Sequence, residues 1–140
     1  MPFDFNEYLT LAVELSARAD EAAKRSSISR AYYSAYHLAL TRAEARVGTY
    51  QRRKDPTRII RHQDKASHVW CWLQFMETND PACNQIGVNG DRMKRRRHIA
   101  DYVAADDPNL NAEVQRQIVE AQQFRTDMAA LAANLPSPRP

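Results

Sequence analysis

The sequence predicts an all-α fold, a four- to five-helix up-down bundle. Only three glycines occur among its 140 residues, and the seven prolines lie at the ends or at isolated breaks. Long stretches rich in Ala, Leu, Glu, Arg and Gln are therefore uninterrupted, and within them apolar residues recur at helical spacing. The length suffices to bury a core without disulfides or metal. We expect one domain over residues 1–135 and a disordered tail over residues 136–140.

The first two helices follow from capping and periodicity. Asp4 can cap a first helix, which we expect to end between residues 19 and 23. Its apolar positions at helical spacing are Phe5, Tyr8, Leu9, Ala12 and Leu15. A second, tyrosine-rich helix is predicted from Ala23 to Arg46, because its apolar residues keep the same period and Gly48 is a natural stop.

A basic segment separates the second helix from the third. Residues 49–62 include Pro56 and several Arg and Lys side chains, which predicts a solvated loop. A third helix is predicted from about Asp64 to Thr78, ended by residues 79–81. Its predicted buried side consists of Val69, Trp72, Leu73 and Met76.

The last two helices are predicted from the turn-forming residues that precede and separate them. Residues 81–90 contain proline, asparagine and two glycines, which indicates an irregular approach to a fourth helix from Asp91 to Ala105. Two aspartates and Pro108 follow it. A fifth helix is predicted from Asn111 to about Asn134, with apolar positions Val114, Ile118, Ala121, Phe124, Met128 and Leu131.

Charge and cysteine content narrow the classes of function. The net charge is only +3, but positive charge is concentrated in residues 51–61 and 92–97, which indicates a polyanion or an acidic protein surface as partner. Cys71 and Cys83 have neither CxxC spacing nor nearby paired histidines, so we expect no zinc site and no cofactor. Since no secretory leader or membrane-spanning run is seen, we expect a cytoplasmic protein with free thiols.

Three short segments carry a family resemblance. SRAYYSAYHLA (29–39) is followed by RHIADY (97–102) and then by AQQF (121–124). In this order, together with the leading amphipathic helix and an element near His68 to Trp72, they resemble the HEPN superfamily. The match is with the branch that has RAYYAxxH in its second helix and RxxADY in its fourth, and it covers almost the whole chain.

The resemblance implies two kinds of function. Many family members are metal-independent endoribonucleases of toxin–antitoxin or antiviral defence systems, often encoded beside a nucleotidyltransferase-like antitoxin. They form homodimers in which the fourth helices face a shared cleft, and they carry an Arg, four to six residues, then a His. Other members lack the His and bind nucleic acid, nucleotide or a nucleotidyltransferase partner without catalysis. A purely structural adaptor that docks a basic helix on an acidic protein is a third alternative.

Arg92 and His98, with five residues between them, fit the ribonuclease pattern. His98 would take the 2′-hydroxyl proton or protonate the leaving oxygen, while an arginine binds the scissile phosphate. Lys94, Arg95 and Arg96 would hold the RNA backbone. On a continuous helix, however, positions six apart differ by about 120° around the axis, whereas Arg95 shares the side of His98. Arg92 therefore fits best at a frayed helix start, and a solvated basic helix without catalysis is the competing interpretation.

A supporting polar network is predicted around these residues. Arg97 lies in an otherwise apolar stripe of the fourth helix and needs a partner, which Asp101 can supply at i+4. The resemblance adds Tyr102 to this pair and places the network against the second helix. There, Arg30, Tyr33 and His37 share one side, where they could contact phosphate or Asp101, or form a buried hydrogen-bonded cluster.

Overall fold

The computed structural model describes residues 2–47 and 66–131. This part of the chain contains five helices and no strand: α1 (Asn6–Ser16), α2 (Glu21–Val47), α3 (Ala66–Met76), α4 (Pro81–Tyr102) and α5 (Leu110–Ala130). The all-α prediction is confirmed. The predictions for the basic loop 49–62, the start of the third helix and the tail 136–140 lie outside the described residues. Helix α5 ends at Ala130, four residues before the predicted end near Asn134.

Helix α2 occupies the centre of the bundle and contacts all four other helices. Its apolar positions are buried as the periodicity predicts, and so are those of α5. In α3 the prediction is partly wrong, because the buried side consists of His68, Cys71, Trp72 and Phe75, while Val69, Leu73 and Met76 are half-buried. Since nearly every residue of α3 is apolar, the sequence pattern does not distinguish its sides.

The first two helices pair closely. Asp4 accepts a hydrogen bond from the backbone N–H of Asn6 at 2.9 Å, at the beginning of α1. Helix α1 ends earlier than predicted and α2 begins earlier, since the Asp20 carboxylate accepts from the backbone N–H of Ala23 at 3.2 Å and starts α2. The buried Ser27 hydroxyl donates to the Ala12 carbonyl at 2.6 Å and holds the two helices together.

The prediction that residues 81–90 form an irregular approach is wrong, because α4 begins at Pro81. The Asp80 carboxylate caps it by accepting from the backbone N–H of Cys83 at 3.1 Å, and Pro81 occupies the first turn, where a missing N–H costs nothing. Gly87 and Gly90 lie inside the helix, where they pack against α3. At its other end α4 stops at Tyr102, three residues before the predicted boundary.

Contacts between helices fix their directions. Lys24 bonds to Asn111 and Arg42 to the Met128 carbonyl, so α2 and α5 run in the same sense. Arg25, at the start of α2, bonds to carbonyls at the end of α4, which therefore runs the other way. The Tyr32 hydroxyl bonds to His68 and Arg46 donates to Gln74, so α3 follows α2 in direction, which departs from a strictly alternating order. None of the described helices is long and apolar enough to cross a membrane.

Candidate functional site

The predicted site residues of α4 lie on different sides of one continuous helix. Because the helix is unbroken from Pro81 to Tyr102, residues three or four apart share a side. Arg92 and Arg96 face α5, whereas Arg97 faces α2. Arg95, His98 and Tyr102 follow the outer side. The structure therefore divides the predicted basic cluster instead of presenting it as one surface.

Arg96 is held by α5. Its guanidinium contacts Glu120 through two hydrogen bonds of 2.5 and 3.1 Å, and its Nε lies 3.2 Å from Glu113. It also donates to the side chain of Gln117, whose amide in turn donates to the carbonyls of Ile28 and Met93. These contacts join α2, α4 and α5, so Arg96 contributes to the packing of the bundle.

Arg92 lies in the middle of α4 and not at a frayed start. Its side chain is 53% exposed, and its guanidinium is 4.0 Å from Glu120, the same carboxylate that binds Arg96. Residues 81–90, which the sequence predicts as an irregular approach, are helical and precede Arg92 without a break. Since His98 is six positions later, the two side chains diverge by about 120° around the axis within one subunit.

His98 lies on the outer side of α4 and is half-buried. Its Nδ1 is shielded from solvent and has no hydrogen-bond partner within the part of the chain that the structure describes. The ring is 5.1 Å from that of Tyr102, which is 62% exposed. One turn earlier, Arg95 is 75% exposed and bonds to Asp91 at 2.9 Å, while Lys94 is buried at 3.3 Å from the same carboxylate. Of the predicted cations, Arg95 is therefore the exposed one beside His98.

Arg97 is buried in a polar and aromatic cluster between α4 and α2. Only 3% of it is exposed, and its guanidinium is 3.6 Å from Asp101. The Asp101 carboxylate also accepts from the Ser29 hydroxyl at 3.2 Å. The guanidinium lies 5.6 to 5.7 Å from the ring centres of three tyrosines: Tyr32, Tyr33 and Tyr102. Its Nε is buried without a hydrogen-bond partner among the described residues.

Arg30, Tyr33 and His37 lie together on α2, next to the aromatic residues that begin the chain. The Arg30 guanidinium is 4.8 Å from the ring centre of Tyr8 and 5.0 Å from that of Tyr33. His37 stacks on Phe5 at 3.7 Å. Burial and the nearby Arg30 charge hold the pKa of His37 below its usual value, so the ring favours its neutral form.

A buried polar chain that the sequence analysis missed crosses the core. The Trp72 indole N–H donates to the Tyr32 hydroxyl at 3.1 Å, and that hydroxyl is 2.6 Å from Nδ1 of His68. Tyr36 stacks on His68 at 4.1 Å. The signal was present in the spacing of four between His68 and Trp72, which places both on one side of α3, but their partner on α2 could only be found from the fold.

Metal ligation finds no support among the described residues, which contain no group of three or more His, Cys, Asp or Glu able to hold an ion. Cys71 and Cys83 are buried free thiols. Burial raises the pKa of the Cys71 thiol far above its usual range, so it stays protonated and unreactive.

No family model matches this sequence, and no match was found among curated proteins or among solved structures.

Proposed function

We propose that this protein is a HEPN-type, metal-independent endoribonuclease of a toxin–antitoxin or antiviral defence system, active as a homodimer. The observation that carries the proposal is that the buried Nδ1 of His98 has no hydrogen-bond partner among the described residues. Histidines with a purely structural role usually have their buried ring nitrogens hydrogen-bonded. Nδ1 of His98 lacks such a bond to the described residues, and Arg95, one turn earlier on the same side of α4, has an exposed side chain.

In this mechanism the RNA supplies its own nucleophile. His98 accepts the proton of the 2′-hydroxyl, the 2′-oxygen bonds to phosphorus, and the bond from phosphorus to the 5′-oxygen breaks. The departing 5′-oxygen takes a proton from an imidazolium. The products are a 2′,3′-cyclic phosphate and a 5′-hydroxyl. Arg95 gives up its surface ion pair with Asp91 and binds the phosphate instead. The loss of free energy is small, because exposed ion pairs are weak.

Arg92 fits this mechanism best from across a dimer. Within one subunit it diverges from His98, but two facing α4 helices bring the arginine of one near the histidine of the other. The end of α4 exposes Ile99, Tyr102 and Val103, an apolar group suited to a contact between subunits. A nucleotidyltransferase-like antitoxin is the second partner that the proposal includes.

A non-catalytic HEPN protein that binds nucleic acid, nucleotide or a nucleotidyltransferase is the second candidate. It is favoured by the ion pairs that already engage Arg92 and Arg96, and by the burial of Lys94, which leave few cations for a transition state. In that case the outer side of α4 serves as a binding surface, and His98 takes no part in proton transfer.

Cleavage of RNA in EDTA distinguishes the two candidates. Total RNA and tRNA are incubated with the parent protein, with His98→Ala, and with Arg116→Ala as a matched control on the exposed side of α5. We expect cuts by the parent and by the control, ends that carry cyclic phosphate, and loss of at least about 100-fold in the His98 variant. Failure of the well-folded parent to cut RNA, or full activity of His98→Ala, would refute the ribonuclease proposal.

A further inference from the structure

Arg30 differs from the other cations near the candidate site because no carboxylate of the described residues contacts it directly. Arg96, Arg97 and Arg25 each contact an Asp or Glu. Arg30 is half-buried, and no carboxylate of the described residues lies within 4.0 Å of it. Its hydrogen bond to the Ser29 hydroxyl is long, at 3.4 Å. A partly desolvated guanidinium with several unused donors is suited to bind an anion.

Aromatic rings surround this guanidinium. Tyr8 and Tyr33 flank it, and Phe3 lies 5.3 Å from Tyr8 with half of its surface exposed. His37 and Phe5 form the floor of the group as a stacked pair. The low pKa of His37, caused by burial and by Arg30, keeps that floor uncharged at neutral pH. The surface thus offers an exposed ring, Phe3, which contacts Tyr8, and Tyr8 in turn contacts the positive charge of Arg30.

We propose that Phe3, Tyr8 and Arg30 form a subsite for one unpaired nucleotide of single-stranded RNA, with the base stacked on the rings and its phosphate bound by Arg30. The inference rests on the proposed function in taking RNA as the ligand. A base exposes its face to a protein ring only when it is unstacked, so the subsite selects single strands over duplex.

Charge orients the nucleotide on this surface. Asp4 and Glu7 are exposed and neighbour Phe3, Phe5 and Tyr8 in the sequence, so their charges disfavour a phosphate at the beginning of α1. The unneutralised charge of Arg30 lies on the α2 side. The phosphate therefore binds at α2, and the base extends toward Phe3.

The subsite also adjoins the residues of α4. Tyr33 contacts both Arg30 and Arg97, and Arg97 lies under Tyr102, which contacts His98. Each step in this series joins groups 5.0 to 5.7 Å apart. Three side chains in contact, Tyr33, Arg97 and Tyr102, therefore connect Arg30 with the imidazole of His98.

Fluorescence anisotropy with a labelled, fully 2′-O-methylated RNA of about 12 nucleotides tests the subsite. This probe lacks the 2′-hydroxyl nucleophile, so binding is measured separately from cleavage. The parent is expected to bind the single strand at least about tenfold more tightly than the same RNA as a duplex. Phe3→Leu keeps an apolar side chain but removes the ring, and we expect it to weaken single-strand binding about fivefold to tenfold.

The role of Arg30 is tested by changing its charge and by measuring how the affinity depends on salt concentration. Arg30→Met is expected to weaken binding about tenfold and to lower the slope of log affinity against log salt by about 0.7, the value for one phosphate contact on a single strand. Arg30→Lys, which keeps the charge, should retain the parent slope and serves if the Met variant fails to fold. Leu11→Ala, at an exposed position of α1 outside the ring group, is the matched control and should bind as the parent does.

Equal binding of single and double strands would overturn the subsite. So would the combination of parent affinity in folded Phe3→Leu with an unchanged salt slope in Arg30→Met. If the parent cuts RNA while these variants bind normally, the subsite is wrong and the ribonuclease proposal stands. If the parent cuts nothing but the variants lose affinity as expected, the subsite stands and the ribonuclease proposal fails.

Discussion

The backbone of Gly90 in α4 lies directly against the indole ring of Trp72 in α3. A Cβ atom at position 90 would overlap the six-membered ring of that tryptophan, which is fully buried. Gly87, one turn earlier, has the same relation to Met76, whose Cγ would be 2.6 Å from an added Cβ. The two glycines thus allow α3 and α4 to approach more closely than helices with side chains at these positions could.

Gly90→Ala is expected to lower the free energy of unfolding by about 1–3 kcal/mol, because the methyl group must displace a rigid ring in a packed core. This expected loss is opposite to the intrinsic helix preference, which favours Ala over Gly by about 1 kcal/mol. Urea denaturation measures the effect, with Gln85→Ala on the exposed side of α4 as control, expected within about 0.5 kcal/mol of the parent. A Gly90→Ala variant as stable as the parent would contradict the close approach.

The sequence predicts the fold well in α2 and α5 but not at the beginning of α4, where the same two glycines lie. Periodicity predicted the apolar positions of α2 and α5, because these positions recur at helical spacing and most of them face the core. In residues 81–90, glycine was interpreted as a turn signal, although Asp80 and Pro81 form a regular helix start. Only the position of Trp72 on the neighbouring helix shows that the glycines serve packing, and that contact is not local in the sequence.

Removing one hydroxyl should disturb the buried polar chain of the core. The Tyr32 hydroxyl accepts the Trp72 indole proton and shares a second hydrogen bond with Nδ1 of His68. Tyr32→Phe leaves both partners without this bond, and we expect a loss of about 1–3 kcal/mol in the free energy of unfolding. Tyr102→Phe, on an exposed ring, is the control and should lose less than about 0.5 kcal/mol. Equal stability of the two variants would argue against the chain.

Two neighbouring arginines of α4 should differ in their effect on stability. Arg96→Met removes the nearest cation from Glu113 and Glu120, two partly buried carboxylates that then keep only the longer contacts with Arg116 and Arg92. We expect a loss of about 1–3 kcal/mol. Arg95→Met removes only an exposed ion pair and should change stability by less than about 0.5 kcal/mol. Thermal and urea denaturation of both variants check the contrast, and an Arg96 variant as stable as the parent would place that side chain among the surface cations.

This contrast marks the limit of what could be predicted for the site. The run from Arg92 to Arg97 shows four arginines in the sequence, but it does not show which of them meets an acidic partner on another helix. The pairing of Arg97 with Asp101 was foreseeable, because both lie on one helix at a spacing of four. The pairing of Arg96 with Glu120 depends on how α4 packs on α5, and the grouping of Phe3 with Arg30 depends on how α1 packs on α2.

His37 should make stability depend on pH. Burial, and after it the charge of Arg30, lowers its pKa in the folded protein, so the unfolded chain binds more protons than the folded chain when the pH lies between the two values. The other groups that face it are rings, from Phe5, Tyr8, Tyr33 and Tyr36. The stability that comes from its neutral form is present above the unfolded pKa, about 6.5, and declines as the pH falls below that value.

Urea denaturation at pH 7.0 and pH 5.0 measures this contribution when the parent is compared with His37→Phe, which keeps a ring on Phe5 but cannot titrate. Other groups titrate alike in both proteins, so the difference between their losses isolates His37. We expect the parent to lose more stability than the variant on acidification. An equal or smaller loss in the parent would mean that His37 accepts a proton in the folded protein as readily as in the unfolded chain, against the lowered pKa.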